Sequence, residues 1–117
     1  MSRLLPIIAV QAAPVAWDRQ ATYARFEAEV RSLRAAFPQT RLFLYPELHL
    51  DALASLKQPV PRGVARRALA EPIPGPLTER LCALARELDV WLVPGSFSER
   101  GKDGKTYNTA IAVAPDG

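Results

Sequence analysis

The chain has 117 residues, a length for one domain at most and enough to bury a real core. Its residues are 49% hydrophobic and 23% charged, the ordinary globular range, which excludes a wholly disordered chain. The formal charge of +3 comes from arginines scattered among acids; only Lys57 to Arg67 is locally basic, through Arg62, Arg66 and Arg67, too sparse and too poor in aromatics for a nucleic-acid surface.

Leu5 to Gln11 is a short apolar run rich in β-branched residues. It predicts a strand buried on both faces, ended by Pro14. Behind Arg3 the run has some likeness to a signal peptide, but it is short and Gln11 interrupts it. A helical pattern then opens at Asp18, so a first strand explains the same residues better. No stretch approaches the roughly 20 apolar residues of a membrane span, and a soluble, cytoplasmic protein is expected.

Asp18 is the expected N-cap of a helix carrying Tyr23, Phe26, Val30, Leu33 and Phe37 on one face. Arg25, Glu29, Arg31 and Arg34 fall off that stripe, and Pro38 stops the helix. The spacing makes Tyr23 and Phe26 core residues. Arg41 to Tyr45 predicts a second buried strand, ended by Pro46, with Tyr45 packed in the core. His49 to Pro74 is irregular, carrying Pro59, Pro61, Gly63, Pro72 and Pro74, with one or two helical turns around Ala65 to Leu69. A loop of this length in a compact domain is functional or mobile, and residues 50 to 74 are expected to line or cover a pocket.

Gly75-Pro76 opens another helix, with Pro at the first turn where its missing N–H costs nothing. Leu77, Leu81, Leu84 and Leu88 form its apolar face. Cys82, the single cysteine, lies beside that stripe and reads as a small apolar residue, not a nucleophile. No internal disulfide is possible, and one His with one Cys cannot close a zinc site. Val90 to Val93 predicts a third strand, which Gly95 to Phe97 leaves. Gly101-Lys102-Asp103-Gly104 is a turn of the hairpin type in which Lys102 and Lys105 are solvated. Thr106 to Ala114 predicts a fourth strand, ended by Pro115-Asp116-Gly117.

The order strand, helix, strand, helix, strand, strand predicts an α/β sheet, parallel through its first three strands with right-handed crossovers. There is no internal repeat, no dinucleotide fingerprint and no P-loop, so neither a metal nor an organic cofactor is expected.

In open α/β sheets ligands bind beyond the carboxyl ends of the strands. Pro46-Glu47-Leu48, Pro94-Gly95-Ser96 and the loop after the first strand reach that edge. Glu47 is the only carboxylate directly at the end of a predicted buried strand. Desolvation there would raise its pKa toward neutrality and make it a workable general base. Taken alone, a Glu after a strand is more often a capping or solvated residue. His49 is a weak candidate for binding substrate or tuning Glu47; a loop histidine making ordinary polar contacts is the plainer reading. Asp51 reads as a cap or turn residue; Asn108 could fix backbone near the site, but its place within a strand favours a structural role.

Four segments in order resemble the nitrilase superfamily of carbon–nitrogen hydrolases. Ile7-Ile8-Ala9-Val10-Gln11-Ala12 is similar to that family's first strand. Phe43-Leu44-Tyr45-Pro46-Glu47-Leu48 is similar to its second strand and Pro-Glu motif. Glu71 to Gly75, then Leu84-Ala85 and Val90 to Gly95, resemble its next helix and strand. Tyr107-Asn108-Thr109-Ala110, running to Pro115-Asp116-Gly117, resembles the strand pair that follows. The likeness covers nearly the whole chain.

The resemblance implies that residues 1–117 are the N-terminal portion of a four-layer α-β-β-α sandwich. It also implies a mechanism with Glu, Lys and Cys, in which a thiolate attacks, the Glu moves protons and the Lys stabilises the oxyanion. Glu47 matches the base. The family's Lys follows the segment matching Tyr107 to Gly117, and its Cys lies further on, so both are expected outside this chain; Lys102 and Lys105 do not match. The implied activity is hydrolysis of non-peptide carbon–nitrogen bonds in a small linear amide or carbamoyl compound, with complete sandwiches pairing as homo-oligomers. The alternative is a catalytically inactive truncated product or an interaction module on the same fold. Without a second half, one sheet face or edge should stay open, and residues 1–117 alone are expected to be aggregation-prone.

Overall fold

The computed structural model describes residues 3–53 and 60–117. Lys57 and Pro59 lie outside the described residues. Strands β1 (Ile7–Ala9), β2 (Leu42–Leu44) and β3 (Trp91–Val93) form a parallel sheet in the order β1-β2-β3. Helix α1 (Arg19–Ala36) joins the first two strands. A 3-10 turn (His49–Asp51), α2 (Arg62–Leu69) and α3 (Pro76–Leu88) lie between the second and third. The chain is α/β with the expected parallel register.

Within that register Ile8, Phe43 and Leu92 stand side by side. They pack with Tyr23, Phe26 and Val30 of α1 and Leu77, Leu81 and Leu84 of α3 in one core. Both helices therefore cover the same face of the sheet. Burial of a large apolar side chain such as Phe26, Phe43 or Leu81 stabilises by about 1.5–3 kcal/mol each. The helix ends follow from local chemistry. Asp18 Oδ1 accepts from the Ala21 N–H at 2.8 Å, confirming the N-cap. Thr78 Oγ1 accepts from the Gly75 N–H at 2.8 Å and donates to the Gly75 carbonyl at 2.9 Å, fixing the start of α3 around Pro76. Arg34 of α1 donates to the Leu88 carbonyl at the end of α3, tying the two helices.

Alternation exposes the opposite face. Ile7 is 52% exposed, Leu44 41% and Trp91 40%, with Leu42 and Val93 half-buried beside them. Strands β1 and β2 are thus covered on one face only, which corrects the expectation of strands buried on both. An apolar run shows how much of a strand wants to leave water, not which layers are at hand to cover it.

The end of the chain differs most from the sequence reading. Residues 96–100 do not merely leave the third strand; Ser96–Arg100 is itself a strand, β4, paired antiparallel with β5 (Thr106–Ala110) as a two-stranded sheet. Ser96-Phe97-Ser98-Glu99-Arg100 has one large apolar residue, so its pairing comes from the turn and not from hydrophobicity. The Gly101 N–H bonds the Lys105 carbonyl at 2.9 Å, and Gly104 takes a φ of +78°. β5 ends at Ala110, short of the expected Ala114. Val113 then pairs antiparallel with Leu92 through bonds of 3.0 and 2.8 Å, closing the outer edge of β3. Phe37 caps α1 and stays exposed, so the helix's apolar stripe ends at half-buried Leu33.

Candidate active site

β2 ends where its hydrogen-bonding capacity does. The Tyr45 N–H still bonds the Val93 carbonyl at 2.9 Å, but Pro46 has no N–H to continue the ladder. The chain turns, and Glu47 is delivered at the carboxyl end of the sheet. Leu48 and Ala52, which bracket the 3-10 turn, adopt φ of 54° and 59°. Non-glycine residues persist in this left-handed region only where surrounding contacts hold them.

Those contacts come from one face of the β4–β5 hairpin. Ser96 and Ser98 are two apart on β4, and Ser98 stands directly opposite Asn108 on β5, so the three side chains share a face. Asn108 Nδ2 donates to Glu47 Oε1 at 2.7 Å. Ser96 Oγ accepts from the Leu48 N–H at 3.0 Å. Ser98 donates to Asp51 twice, from its N–H to Oδ1 at 3.0 Å and from its hydroxyl to Oδ2 at 2.6 Å. Gly95 lets the hairpin come this close. Its φ is +83°, and a Cβ there would lie 1.9 Å from the Pro46 carbonyl oxygen.

Glu47 lines an open cleft of about 350 Å³ with Leu44, Val93, Ser96, Asn108 and Ala110. Leu44 and Val93 belong to the open face of the sheet, giving the cleft an apolar floor with a carboxylate and a carboxamide at one side. Asn108 engages one carboxylate oxygen, and no described residue bonds the other. This arrangement can receive a proton from a nucleophile brought into the cleft. In the chain as described Glu47 is exposed, so the expected desolvation at the strand end is not met. The strand end is buried by α1 and α3 on one side only, and the cleft lies on the other.

His49 is 3% exposed, 5.2 Å from the Tyr45 ring, and its Nδ1 has no partner among the described residues. Burial holds its pKa below the ordinary histidine value; Glu29 opposes that shift and Arg25 adds to it. It shares a small cavity of about 90 Å³ with Glu47, Pro14 and Arg62, but makes no hydrogen bond to Glu47. Tyr45 packs as expected, and its hydroxyl donates to Glu29 at 2.9 Å. Burial, reinforced by Glu29, raises the Tyr45 pKa well above the ordinary phenol value.

Two residues need correction. Asp51 does lie in a turn, the last residue of His49–Asp51, but its side chain is no local cap: it is a buried anchor on β4. Asn108 is not only a strand residue, since its side chain holds Glu47. Their partners lie 47 and 61 residues away in sequence, so no local pattern reveals them. The Ser-x-Ser spacing at 96 and 98 is the one available signal, and it acquires meaning only once the segment is known to be a strand.

Cys82 sits half-buried against the core on α3 and does not line the cleft. Lys102 and Lys105 are exposed in or beside the hairpin turn, as expected. Another groove, of about 340 Å³, lies at the starts of α1 and α3 between Arg19, Tyr23, Glu71 and Arg80; Glu47 is not part of it. Among the described residues no group of three or more potential metal ligands gathers, and no helix is long and apolar enough to cross a membrane.

Comparison with known proteins agrees with this architecture. Residues 7–117 match the family model of carbon–nitrogen hydrolases. The chain is 48% identical over 48 residues to an omega-amidase NIT2 of Xenopus tropicalis, covering 41% of this chain and 17% of that protein. It is 32% identical over 81 residues to a hydrolase of Mycobacterium tuberculosis, covering 69% of this chain and 25% of that protein. Among solved structures, Saccharomyces cerevisiae Nit3, a member of the nitrilase superfamily, superposes with a TM-score of 0.79 at 24% identity over 97% of this chain and 41% of its own. A carbon–nitrogen hydrolase from Helicobacter pylori superposes with a TM-score of 0.70 at 19% identity over 96% of this chain and 36% of its own. The chain therefore spans well under half the length of these proteins. With a parallel sheet backed by two helices, Glu47 at its carboxyl edge and a family match from Ile7 to the last residue, the chain belongs to the carbon–nitrogen hydrolase family and has the fold of the nitrilase superfamily.

Proposed function

We propose that the protein to which residues 1–117 belong hydrolyses a non-peptide carbon–nitrogen bond in a small linear amide or carbamoyl compound, with Glu47 as general base. The observation that carries this reading is the position of Glu47 in the cleft at the carboxyl edge of the sheet, one oxygen held by Asn108 and the other without a partner among the described residues. Glu47 takes the proton of a cysteine thiol, the thiolate attacks the carbonyl carbon, and Glu47 returns that proton to the nitrogen as the carbon–nitrogen bond breaks and amine or ammonia leaves. Glu47 then activates water to release the enzyme-bound acyl group. The thiol and an oxyanion-stabilising lysine come from outside residues 1–117 in this reading.

The omega-amidase relatives favour an omega-amide as the first substrate class to try. The test is Glu47→Gln in the full natural chain, assayed on omega-amides and N-carbamoyl compounds. A loss of about 10²- to 10⁴-fold in kcat is expected, and turnover at the wild-type rate would remove Glu47 from the mechanism. Homo-oligomeric pairing of the complete sandwich belongs to the same proposal, and sedimentation of the full chain tests it.

The second reading is a catalytically inactive or interaction module. It is favoured by one feature: the described residues lining the cleft include neither a cysteine nor a lysine. A full natural chain that folds and turns over no amide, nitrile or carbamoyl compound would support it.

A further inference from the structure

We propose that Asp51, Ser98 and Arg66 form a relay that positions Glu47, acting on the reaction through it without touching substrate; this rests on the reading of Glu47 as the base. Arg66 Nε donates to Ser98 Oγ at 3.0 Å. A guanidinium can only donate, so the Ser98 hydroxyl hydrogen is committed to Asp51 Oδ2, 2.6 Å away. The Ser98 N–H occupies Oδ1. The direction of every hydrogen in the chain Arg66 to Ser98 to Asp51 is thereby settled. Asp51 is 1% exposed and Ser98 0%, so water cannot replace a lost partner. Arg66 keeps its place although its Nη2 is sealed without a partner among the described residues.

Geometry connects this relay to the base. Asp51 closes the turn that begins just after Glu47, and Ser98 faces Asn108 across the hairpin. One hairpin face thus grips the segment three times: Asn108 on the Glu47 carboxylate, Ser96 on the Leu48 N–H and Ser98 on Asp51. The Asp51 link is the buried one of the three and opposes relaxation of the left-handed Leu48 and Ala52. Cutting it lets the 3-10 turn move against β4 and shifts Glu47 relative to Asn108. Arg66 brings α2 into the same network.

The experiment compares Asp51→Asn, Ser98→Ala and Ser98→Thr in the full natural chain. Val30→Ala serves as a core variant that lowers stability away from the relay. Two quantities are read: kcat and KM on the best amide substrate, and the ¹H–¹⁵N resonances of the Asn108 side-chain amide, assigned by their loss in Asn108→Asp. Asp51→Asn places an amide donor where Ser98 also donates, and Ser98→Ala removes the hydroxyl. Both are expected to lower kcat about ten- to a hundredfold with KM within about twofold, and to move the Asn108 resonances. Ser98→Thr keeps the hydroxyl and should retain both, and Val30→Ala should lower only the thermal midpoint. Unmoved resonances and unchanged kcat in folded Asp51→Asn and Ser98→Ala would overturn the proposal, as would equal effects in Val30→Ala. If the natural chain hydrolyses no carbon–nitrogen bond, the resonances alone decide: movement upholds the relay while the catalytic reading fails, and no movement overturns the relay itself.

Discussion

Gly95 and His49 show how single residues carry consequences their local sequence does not announce. At Gly95 a side chain would meet the Pro46 carbonyl at 1.9 Å in a backbone conformation that L-residues avoid. Gly95→Ala is therefore expected to destabilise by about 2–4 kcal/mol, seen as a lower denaturant midpoint, and to displace the hairpin from Glu47. His49 makes stability depend on pH. The unfolded ring titrates near 6.5 and the folded ring lower, because burial disfavours its charged form. The unfolded state then holds more protons over that interval, so this contribution is complete above the unfolded pKa and is lost as pH falls toward the folded one. Stability should decline as pH falls below about 6.5, and His49→Gln should flatten that decline in denaturation curves taken on either side of that pH. The same burial that lowers its pKa makes His49 a core partner of Tyr45 more than a group presented to substrate.

At the scale of elements, the two long helices were legible because each carries its whole explanation within a few turns. Asp18, the Tyr23–Phe26–Val30 stripe and Pro38 bound α1, while Gly75-Pro76 and the leucines of α3 do the same. Removing one packing member tests this directly: Leu81, with no exposed surface, becomes a cavity in Leu81→Ala, at a cost of about 2–5 kcal/mol in chemical denaturation. The hairpin behaves differently. Its β4 strand was not legible as a strand, since Ser96, Ser98, Glu99 and Arg100 lack the apolar alternation that marks one. Its burial comes from polar side chains satisfied by distant partners, Asp51 and Arg66.

For the molecule as a whole, the asymmetry of the sheet dominates. α1 and α3 cover one face, while Ile7, Leu44 and Trp91 leave apolar surface on the other. Residues 1–117 prepared alone are expected to bind a hydrophobic dye and to associate with rising concentration in sedimentation. Leu44→Thr with Trp91→Thr should reduce both, since threonine keeps strand propensity while removing apolar area. A monodisperse sample with a sharp thermal transition would contradict the expectation.

By itself the sequence determined the α/β class, the strand and helix order through β3, and the placement of Glu47 at a strand end. These depend on periodicity, proline and caps, which act over a few residues. It also carried the family likeness, through segments that keep their order along the chain. The tertiary structure decided the rest: which sheet face is open, that Glu47 is exposed in a cleft there, and that Asn108, Ser96 and Ser98 converge on residues 47–51. The physical reason is one of range. A polar side chain is satisfied by whichever partner the fold brings within 3 Å or so, and a face is buried only if another layer covers it; neither condition is written in the neighbouring residues.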